Sequence, residues 1–72
     1  MRPIIDLART GANIARLQLA AGLTARDLQE GLGVSAQAIH KWKNGLALPT
    51  VDNLVVLAAL FGVRIDDILV TV

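Results

Sequence analysis

Turn-forming residues recur about every ten positions along this 72-residue chain and divide it into short segments. The segments between them carry apolar residues at helical spacing, whereas β-branched runs typical of strands occur only at the two chain ends. This pattern predicts an all-α fold of five short helices in a single domain over residues 1–72. The breaks fall at Thr10-Gly11, Gly22, Gly33, Asn44-Gly45, Pro49-Thr50 and Gly62.

Residues able to cap helices stand at most of these boundaries. Thr10 is a candidate N-cap for the first helix, and Thr24, followed three residues later by Asp27, has the arrangement of a capping box for the second. Ser35 is placed to cap the third helix and Thr50 the fourth. The expected helices end near Gly22, Gly33, Asn44 and Gly62, and a short fifth helix follows the poor cap Arg64, over Ile65 to Leu69.

The composition limits the chemistry that the chain can perform. Because there is no cysteine, neither a disulfide nor a thiolate zinc site can form. The single histidine, His40, has no clustered carboxylates beside it, and Asp66 and Asp67 diverge around a helix instead of pairing. We therefore expect no metal site, no cofactor and no enzymatic activity.

Basic residues are concentrated in one part of the chain, although the net charge is only +1. No acidic residue occurs between Glu30 and Asp52, whereas His40, Lys41 and Lys43 fall inside that window. Clustered positive charge supplies the electrostatic part of affinity for nucleic-acid phosphates. The distribution therefore favours a nucleic-acid contact near the predicted third helix.

The second and third predicted helices are separated by a very short turn containing Gly33. The third carries Ile39 and Trp42 on its inward side and polar residues on the opposite side. Two helices joined by a tight turn, the second short and polar on its outer face, match what the major groove of DNA admits. We predict a helix-turn-helix core over about residues 24–44, with the recognition helix at about residues 36–43.

A set of residues at characteristic spacing extends through most of the chain. Its members are Gly22-Leu23-Thr24, Leu28, Leu32-Gly33-Val34-Ser35, Ile39, Trp42, Asn44-Gly45, Pro49, Leu54, Leu57-Ala58 and Phe61-Gly62-Val63. In this set the chain resembles the phage-repressor-like, xenobiotic-response-element type of helix-turn-helix regulators over about residues 12–70. The resemblance implies a sequence-specific DNA-binding transcriptional regulator, with repression as the expected mode of action. It implies base contacts from Ala36, Gln37 and Lys41, and positions near phosphates for His40, Lys43 and Asn44.

Four positions depart from the family pattern. Ala25 stands where the family usually has a phosphate-contacting glutamine, and Gln29 stands where it has a small alanine. Lys43 replaces a common acid, which increases the basic character, and Arg64 replaces a common serine cap. Ala25 and the low net charge leave an alternative open: a protein-interaction module, such as an antitoxin or adaptor, with a degenerate helix-turn-helix.

The fourth predicted helix is apolar around most of its circumference, more than a small domain can cover by itself. We therefore expect a homodimer, as the resemblance also implies, with two recognition helices meeting successive major grooves about 34 Å apart. The β-favouring ends are expected to pair as short strands, within a chain or between chains. The predicted interface consists of Val55, Val56, Ala59, Leu60, Val70 and Val72.

No membrane association or secretion is expected from the sequence. The longest uncharged stretch, residues 53–63, is far shorter than the roughly 20 apolar residues that span a bilayer. The N-terminal residues lack the pattern of a secretory signal. The expected location is the cytoplasm and the expected partner is double-stranded DNA, with no small-molecule ligand indicated.

Overall fold

The computed structural model describes residues 3–72 of the chain. The expected all-α fold is confirmed, because the described residues form five helices and pair elsewhere only at one isolated β-bridge. No helix in this part of the chain has the length and apolar character needed to cross a bilayer. The helices are α1 (Leu7–Ala20), α2 (Ala25–Leu32), α3 (Ala36–Lys43), α4 (Val51–Phe61) and α5 (Ile65–Ile68).

Side-chain caps fix the starts of α2, α3 and α4 where the sequence predicts them. The Thr24 hydroxyl accepts a hydrogen bond from the Asp27 N–H at 3.1 Å, and the Asp27 carboxylate accepts one from the Thr24 N–H at 2.8 Å. The Ser35 hydroxyl accepts from the Ala38 N–H at 3.1 Å, and Thr50 caps α4 in the same way. Each cap satisfies an N–H group that has no partner within its helix.

The predicted start of α1 at Thr10 is wrong. The helix begins at Leu7, with Asp6 as its N-cap, whose carboxylate accepts from the Arg9 N–H at 2.9 Å. Thr10 lies inside α1 and is 1% exposed. Gly11 is also interior, because a Cβ there would lie 2.3 Å from the Trp42 carbonyl oxygen. These two small residues serve the close packing of other segments against α1, and no turn occurs there.

The core draws one fully buried residue from each of four helices. These residues are Ile14, Leu28, Leu57 and Ile68, each 0% exposed. The third helix adds Ile39 and Trp42 to the same cluster. Because all five helices share this cluster, α3 is held by packing on its inner side and leaves its outer side to solvent.

The two chain ends pair with each other within the chain, as one of the expected alternatives. Ile5 and Thr71 form an antiparallel bridge, flanked by a 2.7 Å bond from the Asp6 N–H to the Val70 carbonyl. The buried Thr10 hydroxyl accepts from the Val70 N–H at 2.9 Å. The C-terminal segment is thereby held along the side of α1.

Candidate nucleic-acid interface

The outer face of α3 is exposed and carries most of the predicted contact residues. Ala36, Gln37, His40 and Lys41 are all exposed. On the opposite side, Ile39 and Trp42 are only 2% and 5% exposed. Gln37 and Lys41 are four residues apart and so stand one above the other on the outer face. The structure therefore brings the predicted base-contacting residues together on one surface.

The side chains of Gln37, Lys41 and Lys43 form no ion pair within the described residues. In residues 3–72, the ion pairs involve Arg9, Arg26 and Arg64, so neither Lys41 nor Lys43 has an acidic partner. The helix itself contains no acidic residue. The Gln37 amide and the ammonium groups of Lys41 and Lys43 are thus available to an external partner.

The helix α3 ends at Asn44, as the sequence predicts, and the residues there have contacts within the fold. The Asn44 side-chain amide donates to the His40 carbonyl at 2.8 Å and lies 3.3 Å from the His40 ring nitrogen Nδ1. Lys43 is half-buried, because its backbone lies against α1 at Gly11. Asn44 therefore ends the helix, and the phosphate contacts expected from these residues stay predictions.

The termini of α3 are electrostatically matched to the helix dipole. Ser35 caps the positive end, and the basic residues His40, Lys41 and Lys43 lie in the last turn, where the dipole is negative. An isolated helix of this length is marginal in water. The caps, the dipole and the buried side together allow a short helix to hold its outer residues in a fixed arrangement.

The preceding helix, α2, presents a mixed surface at its start. Ala25 is exposed at its first position, where the resembling family has a longer polar side chain. Arg26 pairs with Glu30 at 3.3 Å, which neutralises part of its charge. The hydrogen bonds from the backbone and hydroxyl of Thr24 lower the pKa of Asp27, so that its carboxylate is fully ionised at neutral pH.

An apolar row of side chains is exposed on α4, and the predicted interface includes two of its three residues. We call Val51, Val55 and Ala59, which follow each other at intervals of four residues, the α4 row. Val51 and Val55 are 73% and 53% exposed. Leu46 and Leu48, in the loop leading into α4, are exposed as well. The four-residue spacing was visible in the sequence and was a sufficient signal for this row.

The other predicted interface residues lie in different surroundings. Val56 and Leu60 are half-buried, and Leu60 lies against α2 at Gly31. Val70 is part of the intrachain pairing of the two ends, whereas Val72 is exposed. No cluster of three or more potential metal-ligating side chains occurs in the part of the chain that the structure describes.

A capped helix with an exposed, acid-free outer face, joined to the preceding helix by residues 33–35, defines a helix-turn-helix module. The helix-turn-helix family model matches residues 14–68. The chain therefore belongs to the helix-turn-helix family of the phage-repressor type, a family of DNA-binding transcriptional regulators, and the resemblance seen in the sequence is confirmed.

Two known proteins illustrate this relationship. Over 56 residues, which cover 78% of this chain, the sequence is 36% identical to the HTH-type transcriptional activator BcrR of Enterococcus faecalis. The matched part spans only 28% of that relative. The structure is similar to the restriction-modification controller protein C.AhdI from Aeromonas hydrophila, with a TM-score of 0.78 over 88% of this chain and 96% of that chain. At 21% sequence identity this second likeness shows the fold alone.

Proposed function

We propose that this chain binds duplex DNA as a sequence-specific transcriptional regulator, with α3 in the major groove. The observation that carries the proposal is the outer face of α3, which is exposed, free of acid and without ion pairs within the described residues. An α-helix with its side chains is about 10 to 12 Å in diameter, which suits a major groove about 12 Å wide. Ile39 and Trp42, buried behind this face, give it a rigid support.

Base contacts are assigned to Ala36, Gln37 and Lys41. The carboxamide of Gln37 presents one donor and one acceptor in the arrangement that pairs with the adenine edge. Lys41, one turn further on, donates to the acceptors of guanine, and the Ala36 methyl group suits contact with a thymine methyl. Together these residues supply the sequence discrimination of the proposed interface.

Phosphate contacts are assigned to His40, Lys43 and Asn44, near the end of α3. Lys43 is half-buried at the last position of α3, and we expect its flexible stem to carry the ammonium to a phosphate at the groove wall. The Asn44 amide already donates one of its two N–H groups to the His40 carbonyl, which leaves one for a phosphate. We therefore expect the contribution of Asn44 to be the smallest of the three.

A homodimer is the expected form on DNA, and the α4 row is proposed as the centre of its interface. Val55 and Ala59 of the predicted interface belong to this row, and Val56 borders it. Exposed valines on consecutive turns are covered most simply by the same row of a second copy. Leu60 and Val70 contribute less than the sequence suggests, because both already have contacts within the chain.

Repression is the expected mode of action, because it requires only that an operator be occupied. The relative from Enterococcus faecalis is a transcriptional activator, so activation is the alternative mode that an experiment must distinguish from repression. The protein is expected to act in the cytoplasm. The alternative of a protein-interaction module draws support from the exposed α4 row, which suits any apolar protein partner.

Selection of bound sites from a random duplex pool tests the proposal directly. We expect one consensus to emerge, with an affinity that falls steeply as salt is raised, because phosphate neutralisation releases counterions. A double variant, Gln37→Ala with Lys41→Ala, is the matched control and should return no consensus. Failure of the unmodified chain to select a site, with salt-independent binding, would leave the interaction-module alternative.

A further inference from the structure

A cleft of about 310 Å³ lies on α1, beside the C-terminal segment. It occupies the side of α1 that faces away from α3. Gly11 marks the side in contact with α3, and Arg9 and Arg16 lie roughly 140° to 160° around the helix from it. The cleft is therefore separate from the proposed DNA interface. Its lining consists of Arg9, Ala12, Asn13, Arg16 and Val70.

The guanidinium group of Arg16 is held in place by a chain of hydrogen bonds. Its Nε and Nη2 atoms donate to the Asn13 side-chain oxygen at 3.1 and 2.6 Å. The Asn13 amide nitrogen in turn donates to the carbonyls of Asp67 and Ile68, at 2.6 and 3.0 Å. Arginine has five N–H donors, so this arrangement orients the group and leaves donors over for a ligand.

The second guanidinium, that of Arg9, is only weakly engaged. The nearer carboxylate oxygen of Asp6 is 3.9 Å away, and the other oxygen already accepts from the Arg9 backbone N–H. Seven residues along a helix place the two arginine Cα atoms about 10 Å apart. The rest of the lining consists of Ala12, Asn13 and Val70, and it contains no acidic residue.

We propose that this cleft binds a small dianion that carries one carboxylate at each end of a short apolar body. Arginine pairs with both groups through two parallel hydrogen bonds, and a pre-oriented guanidinium loses less entropy when it does so. The apolar body covers Ala12 and Val70. The volume is at the lower end of the range of small-molecule sites. Because the cleft faces away from α3, the dianion and DNA can be bound together.

The test is an NMR titration of the full chain that follows the arginine Nε–Hε signals and the Asn13 side-chain amide. The probes are glutarate and inorganic phosphate, each compared with sodium chloride at the same ionic strength. We expect saturable shifts at Arg9, Arg16 and Asn13 with glutarate, and weaker binding of phosphate, which has no second anionic end. Equal or tighter saturation by phosphate would overturn a site for a two-ended ligand.

Three variants distinguish specific binding in the cleft from non-specific attraction of anions to positive charge. Arg16→Gln should weaken binding at least tenfold, and Arg16→Lys, which keeps the charge but lacks the planar group, should lose most of the affinity too. Arg26→Gln on α2 is the matched control and should bind as the unmodified chain does, since Arg26 is also exposed but is paired with Glu30 and lies outside the cleft. Two results would overturn the proposal. One is a set of chemical shifts that change linearly with probe concentration, without saturation, at Arg26 as well as at Arg9 and Arg16. The other is binding by either Arg16 variant that is as tight as binding by the unmodified chain.

Discussion

Replacing Gly11 by alanine tests how the proposed recognition helix is held in place. The backbones of α1 and α3 approach each other at this residue. An alanine Cβ would lie 2.3 Å from the Trp42 carbonyl oxygen and 2.8 Å from that of Lys43. Both atoms belong to the backbone of α3, so that no side chain can rotate away to make room. The substitution must displace α3 relative to α1.

The size of the effect follows from two opposing terms. Alanine is about 1 kcal/mol better than glycine inside a helix, which by itself would stabilise α1. Overpacking costs roughly 1 to 3 kcal/mol, and a contact more than about 1 Å too short, against backbone, belongs at the upper end. The expected net loss is about 2 kcal/mol. In a domain of this size it lowers Tm by roughly 8 to 16 °C.

Urea unfolding followed by circular dichroism measures this loss, and Gly31→Ala provides the matched control. Gly31 is also helical, but a Cβ there meets only the flexible end of Leu60, at 3.1 Å. The gain in helix propensity is the same, so Gly31→Ala should change stability by less than about 1 kcal/mol. If Gly11→Ala were as stable as the unmodified chain, or Gly31→Ala lost as much, the close approach of α1 and α3 would not govern stability.

Four further outcomes are expected. Gln37→Ala should cost about 1 to 3 kcal/mol on the best DNA site and relax specificity at one base pair; selection with the variant should then return a degenerate position, and an unchanged consensus would contradict the assignment. Lys43→Ala should flatten the slope of log affinity against log salt by about one unit without altering site preference, measured by fluorescence anisotropy; altered preference at an unchanged slope would mean that Lys43 contacts bases. Val55→Glu should give a monomer by analytical ultracentrifugation, while Leu19→Glu, at another exposed position, should leave the dimer intact; a monomeric unmodified chain would refute the dimer itself. The hydrogen bonds from Thr24 hold the pKa of Asp27 below its usual value, so its carboxylate stabilises the fold at neutral pH, and this contribution disappears as the pH falls below the usual carboxyl range. Acidification should therefore lower the midpoint urea concentration of unfolding less in Asp27→Asn than in the unmodified chain. An equal decrease in both proteins would contradict the argument.

Local chemistry explains why most helix boundaries could be predicted. The caps at Thr24, Ser35 and Thr50 involve residues three positions apart, and such short-range bonds are encoded in the sequence itself. Thr10 has the same residue type as two of these caps but a different role. Its hydroxyl bonds to Val70, sixty residues away, and no local pattern reveals a partner at that distance.

The candidate interface was predictable to a similar degree. Helical spacing alone distinguishes buried Ile39 and Trp42 from the exposed face that carries Gln37 and Lys41. It could not show that Asn44 turns back on His40, nor that Lys43 lies partly against α1. The cleft beside α1 was also out of reach, because it exists only where the C-terminal segment has folded back along that helix.

Within α3, the residues that maintain the fold and the residues that face outward are two separate sets. Ile39 and Trp42 hold the helix in the core, whereas Ala36, Gln37 and Lys41 contribute almost nothing to it. Mutational drift at the outward positions is therefore nearly free of a stability penalty, since surface changes rarely exceed about 0.5 kcal/mol. Under the proposed assignment of base contacts, a lineage of such proteins can change its target sequence by substitutions at these three positions while the scaffold stays intact.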